Sequence, residues 1–246
     1  MKRRAALAVA VLMAVTASGA ARAETVLVAV AANFSAVAED LAPLFTAATG
    51  HAVRHSFAAT GQLYTQISQG APFEVFLAAD DERPARAVAE GLAVEGTVFT
   101  YAVGQLALYG ASVDPAGGEA VLAAGQVDHL AIADPETAPY GRAAVETLAA
   151  LGLTELYAGR IVTGETVTQA LQFVESGSAG LGFVAASQVQ GKPGVWIVPA
   201  ALHQPIRQDA VLLAAGADNP AARAYLEFLR SDAAVAVITA SGYAVE

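Results

Sequence analysis

Thr25 to Gly50, TVLVAVAANFSAVAEDLAPLFTAATG, changes its hydrophobic period partway along. Thr25 to Ala31 is a short apolar run rich in β-branched residues, which reads as a strand buried on both faces. Asn33 then stands where a helix N-cap belongs. Phe34, Val37, Leu41, Leu44 and Ala48 follow at helical spacing, and Gly50 is a natural C-terminal stop. Pro43 lacks an N–H and clashes one turn back, which predicts a kink or a restart inside that helix. The same alternation continues downstream. Ala52 to Phe57 reads as a strand, and Thr60 caps a short helix ending near Gly70. Val75 to Ala79 is the next strand, and Glu82 to Glu90 the next helix. Strands and helices in strict turn predict a largely parallel α/β sheet.

The pattern then restarts. Val103 to Tyr109 reads as a strand, Ala116 to Ala124 as a weak helix, His129 to Ala133 as a strand and Arg142 to Leu151 as a helix. Ile161 to Thr163, Leu181 to Val184, Val195 to Val198 and Ile206 to Ala214 are further strands. Val167 to Glu175, Asn219-Pro220 to Leu229, and Asp232 to Ala240 are helices. No fixed-period repeat and no low-complexity linker separates the two sets. They predict two lobes, with the last segment returning to complete the first.

Upstream of the first strand, Lys2, Arg3 and Arg4 form a basic start, followed by an apolar run from Ala5 to Val15. That run is shorter than the ~20 residues of a membrane span. Ala21-Arg22-Ala23 is an A-x-A cleavage signal, so residues 1–23 are expected to be a secretory signal peptide cut after Ala23. Cleavage removes Lys2, Arg3, Arg4 and Arg22 and moves the formal charge from −10 to −14. The mature protein is expected to be periplasmic and free there, because no Cys is present to carry a lipid. The 246-residue chain is 55% apolar and 15% charged, which excludes a disordered polymer. Its acidity argues against nucleic acid and anionic membranes as partners. The lack of Cys excludes disulfides, Cys-ligated zinc and thiol nucleophiles.

No G-x-S-x-G elbow, Walker loop or H-E-x-x-H is present. The glycine-rich Gly177-Ser178-Ala179-Gly180-Leu181-Gly182 has the wrong spacing for a dinucleotide loop and precedes a strand, so it reads as a turn. His51 and His55 lie about 13 Å apart if extended, too far to share a metal. Asp80, Asp81 and Glu82 read as the acidic, solvated start of a helix. The informative residues sit where predicted strands give way to helices: Ala31-Ala32-Asn33, Ala58-Ala59-Thr60-Gly61, Ala138-Pro139-Tyr140-Gly141 and Gly164-Glu165-Thr166-Val167. Ligands of α/β sheets bind outside the carboxyl ends of strands. Helix N-termini there offer unpaired N–H groups and partial positive charge to an anion.

At these junctions the chain resembles the molybdate-binding proteins of ABC importers. The likeness covers nearly the whole mature chain. It runs through AANFSAVAEDLAPLF (Ala31 to Phe45), SFAATGQLYTQISQGAPFEVFLAADDERP (Ser56 to Pro84), ADPETAPYGRAAVETL (Ala133 to Leu148), ETVTQALQFVESG (Glu165 to Gly177) and AGLGFVAASQV (Ala179 to Val189). The resemblance implies the type II periplasmic-binding-protein fold. In it two α/β lobes, each a mostly parallel sheet flanked by helices, are joined by two crossover strands and hold an oxyanion between them. It implies a first lobe of residues 24–103 plus 205–246 and a second of 104–204. It also implies a ligand set of Ala32, Asn33, Thr60, Tyr140 and Val167, the last two donating backbone N–H. None of these is Lys or Arg.

One position departs from the family. Many members carry a Tyr after a Gly-Ile-Val strand, whereas this chain reads Gly182-Phe183-Val184-Ala185. A subset uses a Tyr within the Pro-x-Gly motif instead, and Tyr140 is read as that replacement. The expected ligand is molybdate or tungstate, with no cofactor, no free metal cation and no catalysis. The expected partners are ABC permease subunits at the inner membrane, and the protein is expected to be a monomer. Two other readings stay open: a receptor for another tetrahedral oxyanion such as sulfate, and an exported enzyme using the same cleft.

Overall fold

The run TVLVAVA forms β1 (Thr25–Ala31) in the computed structural model, which describes residues 23–246. The expected signal peptide lies outside the described residues, apart from Ala23. β1 pairs in parallel with β2 (Ala52–Ala58) and β3 (Val75–Leu77). The connections are α1 (Ser35–Thr49), α2 (Thr60–Ser68) and α3 (Glu82–Ala89). β4 (Phe99–Gly104) is followed, after Gln105 alone, by β5 (Leu106–Tyr109), which belongs to a second sheet. That sheet adds β6 (Leu130–Ala133), β7 (Ile161–Gly164), β8 (Leu181–Ala185) and β9 (Val195–Ile197). Between them lie α4 (Glu119–Ala124), α5 (Pro139–Ala150), α6 (Thr154–Tyr157) and α7 (Val167–Glu175). β10 (Ile206–Leu212) then returns to the first sheet, and α8 (Pro220–Leu229) and α9 (Asp232–Ala240) follow.

The strand orders are β2-β1-β3-β10-β4 and β7-β6-β8-β5-β9. The two α/β units expected from the sequence are present, and each sheet is mixed. β2-β1-β3 and β7-β6-β8 are parallel, as helical crossovers require. β10 runs antiparallel to β3 and β4, and β5 antiparallel to β8 and β9. These strands arrive from the other sheet, so no crossover helix holds them parallel.

β1 shows why its sequence carries no polar alternation. Val26, Val28 and Val30 pack with Phe34, Leu41 and Phe45 on one face, while Ala29 packs with Leu63 and Phe76 on the other. Both faces are covered from Val26 onward, so every position after the exposed Thr25 is apolar. Three expectations need correction. Pro43 sits inside one continuous helix, because Glu39 and Pro43 are both on the solvent face, where the carbonyl that Pro leaves unbonded is open to water. Val103 to Tyr109 is two strands, broken at Gln105, because the chain changes sheets at that residue. Only Glu119–Ala124 of the predicted Ala116 to Ala124 is α-helix, since Pro115–Gly117 forms a 3-10 turn capped by Asp114.

Candidate functional site

β1, β2 and β3 end at Ala31, Ala58 and Leu77, and β6 and β7 end at Ala133 and Gly164. The loops leaving these ends meet at one cavity of about 10 Å³. Organic ligands usually occupy roughly 300–1,000 Å³, so this space is too small for them. Ala32, Asn33, Thr60, Tyr140 and Val167 all line it, and all are buried. Thr166 lines it as well; the sequence marked that residue only as part of a helix start.

The donors are arranged by helix beginnings. Thr60 is the first residue of α2, and Ala59, not Thr60, occupies the N-cap. The Ala79 amide donates to Thr60 Oγ1 at 3.0 Å, which occupies the hydroxyl as an acceptor and leaves its proton for the cavity. Pro139 opens α5 and places Tyr140 second, the arrangement that suits Pro. Gly141 is required beside it, because a Cβ there would lie 2.2 Å from the Ala133 carbonyl oxygen. Val167 opens α7 behind the N-cap Thr166, whose Oγ1 accepts from Gln169 N at 3.1 Å. Among the described residues no protein acceptor takes the amide protons of Thr60, Tyr140 or Val167. Three N-termini of α-helices from two sheets therefore converge on one small space.

Asn33 is not the predicted N-cap. It lies in a 3-10 turn, Ala32–Phe34, ahead of α1, and Phe34 takes the cap position without a side-chain bond. Its Nδ2 donates instead to Gln208 Oε1 at 2.9 Å and to the Tyr243 hydroxyl at 3.0 Å. Gln208 Nε2 in turn donates to the Tyr140 hydroxyl at 3.2 Å. Sequence reasoning gave no sign of Gln208 or Tyr243, which lie 175 and 210 residues along the chain from Asn33. Burial holds the Tyr140 phenol well above its ordinary pKa, so it remains a neutral donor. Ala185, where the resemblance led to an expectation of Tyr, is fully buried at the end of β8 and does not line the cavity.

Among the described residues no Lys or Arg lines the space. Arg83 is held by Asp80 and by the Glu136 carbonyl oxygen, and Arg142 pairs with Glu82 at 3.3 Å. Burial raises the pKa of Asp80, and Arg83 opposes the shift. The two sheets are also bridged directly. Gly61 N donates to Thr137 O at 2.8 Å, and Thr168 Oγ1 to Ala32 O at 3.2 Å. Ser187 Oγ donates to the Tyr243 hydroxyl at 2.9 Å. Among the described residues no cluster of three His, Cys, Asp or Glu side chains is placed to hold a metal ion, and no helix is long and apolar enough to cross a membrane.

Residues 26–244 match the family model for bacterial extracellular solute-binding proteins. The chain is 50% identical over 228 residues to the molybdate-binding protein ModA of Rhodobacter capsulatus, covering 92% of this chain and 90% of that protein. It is 52% identical over 236 residues to a molybdate-binding protein ModA of Azotobacter vinelandii, with 92% of each covered. Among solved structures, a periplasmic molybdate-binding protein of Azotobacter vinelandii superposes with a TM-score of 0.85 at 38% identity. That superposition covers 90% of this chain and 99% of the other.

Proposed function

The chain belongs to the bacterial extracellular solute-binding proteins, and from this we infer that it is the molybdate-capturing component of an ABC importer. It is a binding protein and not an enzyme. The observation that carries the reading is the convergence of the α2, α5 and α7 N-termini on a small cavity lined without Lys or Arg. Molybdate is an unprotonated dianion at neutral pH, and its oxygens only accept hydrogen bonds. A shell of N–H and O–H donors suits such an ion and gives a protonated oxyanion no acceptor for its proton. Tungstate has the same charge and shape and is bound as well.

In this reading the amides of Ala32 and Asn33, the hydroxyl and amide of Thr60, and the amides of Tyr140 and Val167 hold the oxygens. The Tyr140 hydroxyl supplies the donor that Ala185 lacks. Residues 24–103 with 205–246 form one lobe and 104–204 the other, and they close on the ion about the crossovers near Gln105 and Gln204. The mature protein starts after Ala23, works as a monomer in the periplasm and delivers the ion to ABC permease subunits. It takes no nucleic acid and no cofactor.

Calorimetric titration of the mature protein with molybdate, tungstate, sulfate and phosphate tests the reading. Molybdate and tungstate are expected to bind at least a hundredfold more tightly than sulfate, with phosphate inert. Equal affinity for sulfate and molybdate would refute the assignment.

A further inference from the structure

Gln208 is wholly buried in β10, next to a register shift between Gln208 and Asp209. Such bulges re-aim side chains, and this one belongs to a buried network whose hydrogen-bond direction can be worked out atom by atom. The Asn33 backbone carbonyl can only accept. It lies 2.9 Å from the Tyr243 hydroxyl and takes that group's single proton. The Asn33 side-chain atom 3.0 Å from the same hydroxyl must therefore be the donor, Nδ2. The second Nδ2 proton faces Gln208 at 2.9 Å, so the Gln208 atom there must be the acceptor, Oε1. The Tyr101 hydroxyl lies 3.1 Å from that same oxygen and 3.0 Å from the Ala78 carbonyl oxygen, and its one proton is shared between them.

With Oε1 fixed, Gln208 presents Nε2 to Tyr140 and donates to its hydroxyl at 3.2 Å. The phenol oxygen is then an acceptor toward Gln208, and its proton must point elsewhere. Tyr243 cannot receive it, because Asn33 Nδ2 and Ser187 Oγ occupy that oxygen. Tyr140 lines the anion cavity; its hydroxyl also neighbours that of Tyr243, but with the Tyr243 oxygen already taking two protons the Tyr140 proton is left for the cavity. We propose that Gln208 is a positioning residue of the oxyanion site: through Asn33 and Tyr243 it sets the direction of the Tyr140 hydroxyl so that the proton is presented to the bound oxyanion. Gln208 does not itself line the cavity. The proposal rests on the molybdate reading given above.

Gln208→Glu is the informative substitution. It keeps the shape and still accepts from Asn33 and Tyr101. Its second carboxylate oxygen, however, accepts from Tyr140 and turns the phenol proton away from the anion. The added charge also repels the ligand, so the test is a double-mutant cycle with Tyr140→Phe, read by molybdate titration. Tyr140→Phe alone is expected to weaken binding about 10- to 150-fold. Gln208→Glu alone should weaken it by at least as much. The double variant should bind no more weakly than Gln208→Glu alone, because the hydroxyl is already lost to the ligand. If the two losses multiply, Gln208 acts only through charge or packing and the proposal is overturned. The same cycle with uncharged Gln208→Met covers the case in which the Glu variant fails to fold. It should show a loss in the parent and none on top of Tyr140→Phe, and equal losses in both backgrounds overturn the proposal. A parent protein that ignores molybdate refutes the functional reading itself, whereas a binding parent with multiplying losses refutes only the role of Gln208.

Discussion

Gly104 ends β4 at the crossing between the two sheets, and its missing side chain is what lets Tyr140 seat. A Cβ at position 104 would lie 2.1 Å from the Tyr140 hydroxyl oxygen, 3.0 Å from its ring carbon Cζ and 2.7 Å from Gln208 Nε2. The hydroxyl would have to retreat by more than about 1 Å to reach ordinary contact distance. It has no room to do so, because Tyr140 is 2% exposed and Gln208 fully buried. The backbone of Gly104 is not left-handed, so Ala is resisted by its side chain alone. Gly104→Ala is therefore expected to cost about 1–3 kcal/mol of stability through overpacking. It should also cost the Tyr140 hydroxyl bond to the anion. Bonds to charged groups contribute about 1.5–3 kcal/mol, which corresponds to a loss of roughly 10- to 150-fold in molybdate affinity. Calorimetric titration reads the affinity, and thermal melting of the ligand-free protein reads the stability. Adding Tyr140→Phe removes the closest contact, so the double variant should melt higher than Gly104→Ala alone while binding no better. If Gly104→Ala binds molybdate like the parent, the crossover and the Tyr140 hydroxyl are not coupled and the reasoning fails.

Thr60→Ala should lower molybdate affinity roughly tenfold or more. Thr60→Ser, which keeps the proton left free by the Ala79 amide, should bind nearly as the parent does; equal binding by the Ala and Ser variants would show that the hydroxyl makes no contact. Tyr140 remains protonated well past its ordinary range. Its contribution to molybdate affinity, read as the parent against Tyr140→Phe, should hold steady between pH 7 and 9, and a fall across that window would contradict a neutral donor. Burial raises the pKa of Asp209 in the folded protein, so its charged form disfavours folding at neutral pH and that penalty fades as pH falls through the folded pKa. Asp209→Asn, whose amide oxygen can still accept from Thr100, should therefore melt above the parent at pH 8, with the gap narrowing toward pH 4. A gap that widens on acidification would reverse the sign of the argument.

The elements legible in the sequence are those whose packing is decided locally. Val26 to Ala31 is apolar at every position because helices cover both faces of the strand, and Val167–Glu175 shows its period and its Thr cap within one window. The positions around the cavity were legible for a similar reason. Small and hydroxyl residues cluster where strands hand over to helices, and the fold brings those ends together. The break at Gln105 was not legible, because the chain is apolar on both sides of it and only the sheet that each half joins separates them. The role of Asn33 was misread for a related reason. Asn before a helix is a strong capping signal, but here its amide is drawn away by Gln208 and Tyr243, partners set by the tertiary fold. No periodicity or motif around those two residues hints at the meeting.

Those contacts between the sheets also fix what a neighbouring molecule can sense. Ala32, Asn33, Thr60, Tyr140 and Val167 are each less than a tenth exposed, so an ion among them is hidden from any partner surface. The bonds from Gly61 to Thr137, from Arg83 to Glu136 and from Arg142 to Glu82 join the two halves, the last between two exposed side chains. Under the proposed function, a docking transporter would therefore meet not the cargo but the two rims that these bonds join.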